Sequence, residues 1–532
     1  MKLLILKKIL SGITLVLTSA VFLIVSFFPN TNLEFFAWFA FAPLFFTLQN
    51  KTKAKAFIIS YLFGIIFWLG IIYWLIHVTF AGLIILVLYL ALYFGFFGLV
   101  VSSMRPRLNL LIGPLVIACI WVGLEYLRSH LFTGFSWALL GYSQYLNLPI
   151  IQIAKITGVW GVSFLVMLIN AWIYLLLNAR FAPRAKREKP TLPIIGYALV
   201  LVLLSISLGY GFYELYSQPQ MINQQKFRIS VIQGNIPQAI KWEKSARGGI
   251  LGEYQRLSRL AAGDSPDLII WPEAAFPGIL QQDIYAKKRL QEFVSNIGIP
   301  LLIGVVNLNN HNYYNSAALI SQDGKFMQRY DKLHLVPFGE YIPLKRIFGF
   351  LETVVPIGDF SPGEEYVVFN LDKSTLTSLR QSSNLADRKL VRSRFGVLIC
   401  FEDIFPQISR EFVRKGADFL INITNDAWFG DTSSPYQHLS ASVFRAVENG
   451  VYLVRAANTG VSGFITPEGR IYPLLDKTRG EQTFISGYLT QDITIFPKQN
   501  NLYTQWGDWF VLTCLVVAIC GIYLANKHYQ QR

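Results

Sequence analysis

The stretch Phe395-Gly-Val-Leu-Ile-Cys-Phe-Glu-Asp403 carries an apolar run onto a cysteine and then onto two acids. A short apolar run bounded by charge reads as a buried strand, which places Cys400 where the strand gives way to a loop. Working outward, 227–232, 268–271, 301–306, 419–423 and 452–456 share that character, while 253–262, 286–297, 408–415 and 438–448 have helical spacing. Strands interleaved with helices predict an α/β layered domain whose chemistry collects at strand ends. Cys400 is also the one cysteine outside a long hydrophobic segment, since Cys119, Cys514 and Cys520 lie within such segments. A lone thiol in an oxidising compartment is a poor structural choice and a candidate nucleophile.

The 532 residues are 53% hydrophobic and 15% charged, a balance that predicts a chain partly solvated by lipid. Hydrophobic windows suited to crossing a bilayer run over 9–28, 33–48, 56–76, 82–101, 108–127, 158–179, 192–215 and 506–525. About eight spans are therefore expected, the second of them short and the first a retained span rather than a cleaved leader. The expected organisation is a membrane domain over 1–220, a catalytic domain over 221–500, and a last span with its tail over 501–532.

Charge orients these spans. Lys2, Lys7, Lys8, Lys51, Lys53, Lys55, Arg105, Arg107, Arg180, Arg184, Lys186, Arg187, Lys189, Lys527 and Arg532 fall on one face, against the single acid Glu188. On the other face the loop 129–158 carries only Lys155. Basic residues stay cytoplasmic, so both termini are expected inside and the globular domain outside. The formal charge of +15 then reports membrane orientation, not a nucleic-acid partner.

Three strand-end segments carry chemistry: Trp271-Pro-Glu-Ala-Ala-Phe-Pro277, Tyr330-Asp-Lys-Leu-His-Leu-Val-Pro-Phe-Gly-Glu-Tyr341 and Cys400-Phe-Glu-Asp403. A thiol attacking an ester or amide needs a base, a group to hold the oxyanion, and exclusion of water. Glu273, Lys332 and Cys400 supply base, cation and nucleophile, and Lys332 is expected to lower the thiol pKa until thiolate forms near neutrality.

These segments resemble the nitrilase, or carbon-nitrogen hydrolase, superfamily. With seven spans before the domain and one after, the whole chain resembles the bacterial apolipoprotein N-acyltransferase family. The densest matches are Gln233-Gly-Asn-Ile-Pro-Gln238, Trp271-Pro-Glu273, His334-Leu-Val-Pro-Phe-Gly-Glu340, Ile399-Cys-Phe-Glu402 and Thr424-Asn-Asp-Ala-Trp-Phe-Gly430, with Phe401 standing where tyrosine is more usual. The resemblance implies a polytopic α-helical membrane protein carrying an extracytoplasmic four-layer αββα sandwich, with Glu273, Lys332 and Cys400 as its catalytic triad. It implies transfer of an acyl chain from a phospholipid, typically phosphatidylethanolamine, onto Cys400 and then to the α-amino group of a diacylated lipoprotein. It further implies the bacterial inner membrane, no cofactor and a monomer. A membrane-anchored hydrolase of the same superfamily and a transporter with an external binding domain stand as the alternatives.

Supporting candidates follow. Glu340 resembles a second family glutamate that positions Lys332 or aids proton transfer. Glu402, two residues past the nucleophile, alternates to the side of Cys400 if the chain stays extended. Trp242 reads as a lipid-facing gate or a packed tryptophan. Asn425, Asp426 and His438 lack regular metal-ligand spacing, and no metal site is expected. Glu125 and Arg128 read as a snorkelling ion pair near the outer end of the fifth span. The apolar loop 347–356, with Gly349 and Gly358 as hinges, reads either as a lid or acyl-chain wall or as core packing within the domain, and the Ser-rich 373–392 as a surface excursion.

Overall fold

Two compact units, Met1–Gln218 with Trp506–Arg532 and Pro219–Gln505, make up the chain. The computed structural model describes residues 2–29, 31–104, 112–181, 191–217, 225–342, 359–372, 392–476, 478–495 and 501–530. The candidate lid 347–356 and nearly all of the excursion 373–392 lie outside the described residues.

In the first unit, Lys53–Ile71, Phe80–Met104, Val159–Asn178 and Ala198–Tyr216 are helices long and apolar enough to cross a membrane, among the described residues. Four such helices fall short of the eight expected spans. The helices Lys53–Ile71 and Phe80–Met104 approach so closely that a Cβ on Gly98 would overlap the Ser60 hydroxyl. Small residues permit this approach where lipid offers no hydrophobic drive to association.

The expected second span, 33–48, is not one crossing helix. It is a 3-10 turn, Glu34–Trp38, followed by the short helix Ala42–Thr47. Asn170 supports the break: its Oδ1 accepts from the Phe41 N–H at 2.8 Å, and its Nδ2 donates to the Ala37 carbonyl at 2.7 Å. An apolar setting leaves no unsatisfied backbone group, so a broken segment needs such a partner. Glu125 and Arg128 depart from expectation as well, being 3% and 4% exposed. Glu125 accepts from the Leu140 N–H at 2.6 Å, and Arg128 donates to the Phe135 and Trp137 carbonyls at 2.8 and 2.7 Å. Both fasten the 135–140 loop instead of reaching for solvent.

Polar contacts mark the two ends of this unit. At one end Lys155 pairs with Glu214 at 2.6 Å, Trp509 Nε1 donates to the Ile156 carbonyl, and Trp160 Nε1 donates to Asp508. The close of the helix Thr191–Tyr216 and the start of Trp509–Gln530 therefore share an end with the 148–158 turn. At the other end Gln49 Nε2 donates to Asn178 and Tyr174.

The second unit holds strands β1 (Gln225–Gln233), β2 (Leu268–Ile270), β3 (Leu301–Asn309), β4 (Asn312–Ile320), β5 (Phe326–Asp331), β6 (Val368–Asp372), β7 (Arg392–Ile399), β8 (Phe419–Thr424), β9 (Leu453–Ala457), β10 (Gly463–Ile465), β11 (Ile471–Pro473) and β12 (Gly487–Ile495). They form two six-stranded sheets, ordered β12-β1-β2-β3-β4-β5 and β11-β10-β9-β8-β7-β6. The central pairs β1–β2–β3 and β7–β8–β9 are parallel, and the outer pairs are antiparallel. All six expected strands and four expected helices are present at or near their predicted places.

Alternation sorts each strand between layers. Leu301, Ile303 and Val305 turn outward to join Leu251, Tyr254, Leu290 and Phe293 from the helices Arg247–Ala262 and Ile284–Ile297. Inward, Phe369, Phe395 and Phe419 stack across β6, β7 and β8 with centroids 5.2 and 5.3 Å apart, and Phe227 of the other sheet meets Phe419 at 5.8 Å. The helix Pro406–Arg414 covers β7 through Phe412, which sits where a side chain on Gly396 would stand. The resulting order is helix, sheet, sheet, helix. Phe419→Ala should destabilise this unit by about 3–5 kcal/mol, measured as a lower denaturation midpoint of the full-length protein in detergent.

Candidate active site

Lys332 and Cys400 directly follow β5 and β7, and Glu273 lies three residues past the end of β2. Glu273 is brought close by Gly304 on β3, where a Cβ would lie 2.5 Å from the Pro272 carbonyl oxygen and 2.6 Å from Glu273 Cα. Lys332 is 1% exposed, and its ammonium lies 2.8 Å from Glu340 Oε2 and 3.8 Å from Glu273 Oε1. Asn315 on β4 ties the two acids together, donating from Nδ2 at 2.7 Å to Glu273 Oε1 and at 2.7 Å to Glu340 Oε1. Glu340 also accepts from the Val336 N–H at 2.8 Å, which folds the Lys332 loop back on itself.

Burial opposes the charge on Lys332. The carboxylates of Glu340 and Glu273 outweigh it and hold the ammonium charged beyond the usual lysine range. Cys400 behaves otherwise than expected. Burial first, and then the charge of Glu273, push its thiol above the ordinary range, and Lys332 opposes them without prevailing. These influences favour the thiol at neutral pH, so forming a thiolate calls for a base.

Cys400 has a left-handed backbone, φ +53°, and opens the 3-10 helix Cys400–Ile404. Because the chain turns there, Glu402 does not alternate to the sulfur's side. Its Oε1 accepts from Tyr330 Oη at 2.7 Å and from the Leu333 and His334 N–H groups at 2.7 and 3.2 Å, while Oε2 accepts from the Ile399 N–H at 2.8 Å. One carboxylate thus fastens the Lys332 loop to the strand that leads into Cys400. Burial raises its pKa to about 7, against those hydrogen bonds and Lys332.

Trp242 is half-buried against a small apolar cluster of Val306, Leu335 and Phe360, beside Ile279, Tyr313 and Tyr341. Its indole N–H makes no hydrogen bond among the described residues. Of these side chains, Ile279 lies six residues past Glu273, and Leu335 and Tyr341 belong to the loop that carries Lys332 and Glu340.

Sequence reasoning passed over Lys241, which is buried and donates to the Glu273 carbonyl oxygen at 3.1 Å. Burial lowers its pKa to about 8, against the pull of Glu273 and Cys400. Its signal is its place in Gln238-Ala-Ile-Lys-Trp242, directly before Trp242, although a lone lysine in such a loop resembles a solvated charge. Asn315 gave no signal, being one polar residue in an unrecognised strand. Asp426 and His438 do lie together, but Arg455 is placed among them, donating to Asp403 Oδ2 at 3.1 Å and to Asp426 Oδ2 at 3.2 Å.

The Carbon-nitrogen hydrolase family matches residues 228–494. The Apolipoprotein N-acyltransferase N-terminal domain family matches 19–172. An apolipoprotein N-acyltransferase of Geobacter metallireducens is 38% identical over 99% of this chain and 96% of its own, and one of Haemophilus ducreyi is 31% identical over 83% and 81%. An amidase of Nesterenkonia AN1 from the nitrilase superfamily is 19% identical, with a TM-score of 0.37, over 54% of this chain and 96% of its own. The chain belongs to the apolipoprotein N-acyltransferase family.

Two measurements test the electrostatics. Lys332→Met removes a charge that favours the thiolate, so alkylation of Cys400 by iodoacetamide at pH 8 should slow by about tenfold, one pKa unit's worth. An unchanged rate would place the sulfur outside the ammonium's field. For His438, burial lowers the pKa but Asp403 leads the groups that raise it, to about 9. A folded pKa above the unfolded value stabilises fully below about pH 6.5 and ceases to do so as pH rises through about 9. The melting temperature should therefore decline between neutrality and pH 10, and Asp403→Asn should flatten that decline.

Proposed function

We propose that this chain moves a fatty acyl group from a phospholipid to the N-terminal amine of a lipoprotein, through a thioester on Cys400. The observation that carries the reading is the buried Lys332 ammonium, held between Glu340 and Glu273 within electrostatic reach of the Cys400 thiol. Glu273 takes the thiol proton as the sulfur attacks the ester carbonyl, and Lys332 faces the oxyanion that develops. When the C–O bond breaks, the lysophospholipid oxygen leaves with the proton from Glu273. The neutral amine of the acceptor then attacks the thioester and gives a proton to Glu273. Collapse forms the amide and expels the sulfur, which recovers that proton.

The supporting residues divide by what they touch. Glu340 keeps Lys332 charged, and Glu402 holds the Lys332 loop against the strand of Cys400. Trp242 and its apolar cluster supply the wall along which an acyl chain lies, shielding the thioester from water. Phosphatidylethanolamine is the proposed donor, a diacylglyceryl-cysteine lipoprotein the acceptor, and a monomer the working form.

In this reading 1–220 and 501–532 anchor the chain in the bacterial inner membrane with both termini cytoplasmic, and 221–500 works at the periplasmic face. The one-sided distribution of Lys and Arg supports that sidedness. So does the placement of the end of Thr191–Tyr216 beside the start of Trp509–Gln530, which returns the chain to the end it left.

Intact-mass spectrometry of the purified protein with phospholipid alone should show a fatty-acyl adduct confined to the Cys400 peptide. A diacylated lipopeptide should discharge it far faster than water does. Equal discharge by water would make the chain a hydrolase, and an adduct elsewhere would remove Cys400 from the mechanism. Cys400→Ser should cut transfer by at least about 1,000-fold.

A further inference from the structure

The carbonyl of Cys400 is held from two sides. Asn422 Nδ2 donates to it at 3.1 Å, and His438 Nε2 stands 3.2 Å from it. His438 is itself fixed, with Nε2 2.7 Å from Asp403 Oδ1 and Nδ1 3.0 Å from Asp426 Oδ1. Arg455 closes the arrangement, donating at 2.7 Å to Asn422 Oδ1 as well as to both acids. Asp403, Asn422, Asp426 and Arg455 are fully buried, and His438 is 2% exposed. None of these groups takes part in the proton transfers described above.

A left-handed backbone is disfavoured for a residue with a side chain and persists only where its surroundings over-determine it. Cys400 is such a residue. In a trans peptide the carbonyl and the following N–H point oppositely, so fixing the Cys400 oxygen also fixes the Phe401 N–H. We infer that His438, with Asn422, is a positioning residue for Cys400: the two lock the 400–401 peptide and thereby aim the sulfur at the ester carbonyl. Asp403, Asp426 and Arg455 hold the imidazole in place for that task. The inference rests on the reading of Cys400 as the nucleophile.

The test uses the full-length protein in phospholipid-containing detergent with saturating lipopeptide, comparing His438→Gln with the parent. A misaimed nucleophile loses turnover, so kcat should fall by about 100-fold while KM for phospholipid changes by less than about twofold. Asn449→Ala is the control for simple damage. It lies on the same helix, Ser434–Asn449, and donates to the Arg445 carbonyl at 2.9 Å without approaching Cys400. That variant should melt lower yet keep kcat per folded molecule within about threefold.

The inference is overturned if His438→Gln keeps its kcat, loses only in KM, or is matched by Asn449→Ala. Should His438→Gln not fold, Asn422→Asp decides, because it retains the acceptor for Arg455 and removes the amide donor. A loss of about tenfold or more in its kcat supports the inference, and an unchanged kcat overturns it. The acyl adduct on the parent protein is read separately. Its absence refutes the nucleophile, whereas its presence beside an undiminished His438→Gln refutes the positioning alone.

Discussion

A lysine ammonium 1% exposed to solvent is the constraint around which the catalytic unit is arranged. A buried charge persists only with partners, and here they come from separate places in the chain: Glu340 from the same loop, Glu273 from the end of β2, and Asn315 from β4 to bind both acids. Gly304 must lack a side chain so that the Glu273 turn can lie against the sheet. The cost of desolvating Lys332 thus becomes a demand on the register of three neighbouring strands. The same cation counters, without overcoming, the burial and the Glu273 charge that raise the Cys400 thiol above its ordinary range.

The strands that sequence disclosed were those buried on both faces. Leu301 to Val306 is a continuous apolar run and Phe419 to Ile423 one interrupted only by Asn422, and such runs announce themselves. Asn312–Ile320 and Phe326–Asp331 went unseen because their exposed ends carry Asn, Tyr, Gln and Arg in patterns close to those of a loop. Glu273, Lys332 and Cys400 were visible because each lies at or shortly after a strand end within a compact motif. Their helpers were not, since Asn315, Asn422 and Arg455 act across the fold from positions whose neighbours are plain strand. Glu402 was noticed, but its direction depended on a turn at Cys400 that an extended chain would lack.

The membrane unit gave a similar lesson. Hydropathy over 33–48 is high enough to suggest a crossing, yet hydropathy is blind to a side chain such as Asn170 that makes a broken backbone tolerable. Glu125 and Arg128 misled for a related reason. Their spacing suits a local pair, but the Leu140, Phe135 and Trp137 backbone groups supply partners that no periodicity foretells.

The end of Thr191–Tyr216 and the start of Trp509–Gln530 meet around Lys155 and Ile156. The helical unit is therefore continuous in space although interrupted in sequence, and the catalytic unit is an insertion into it at one seam. Such an architecture lets a hydrolase-type module and a bundle of helices keep separate cores while sharing a single pair of junctions.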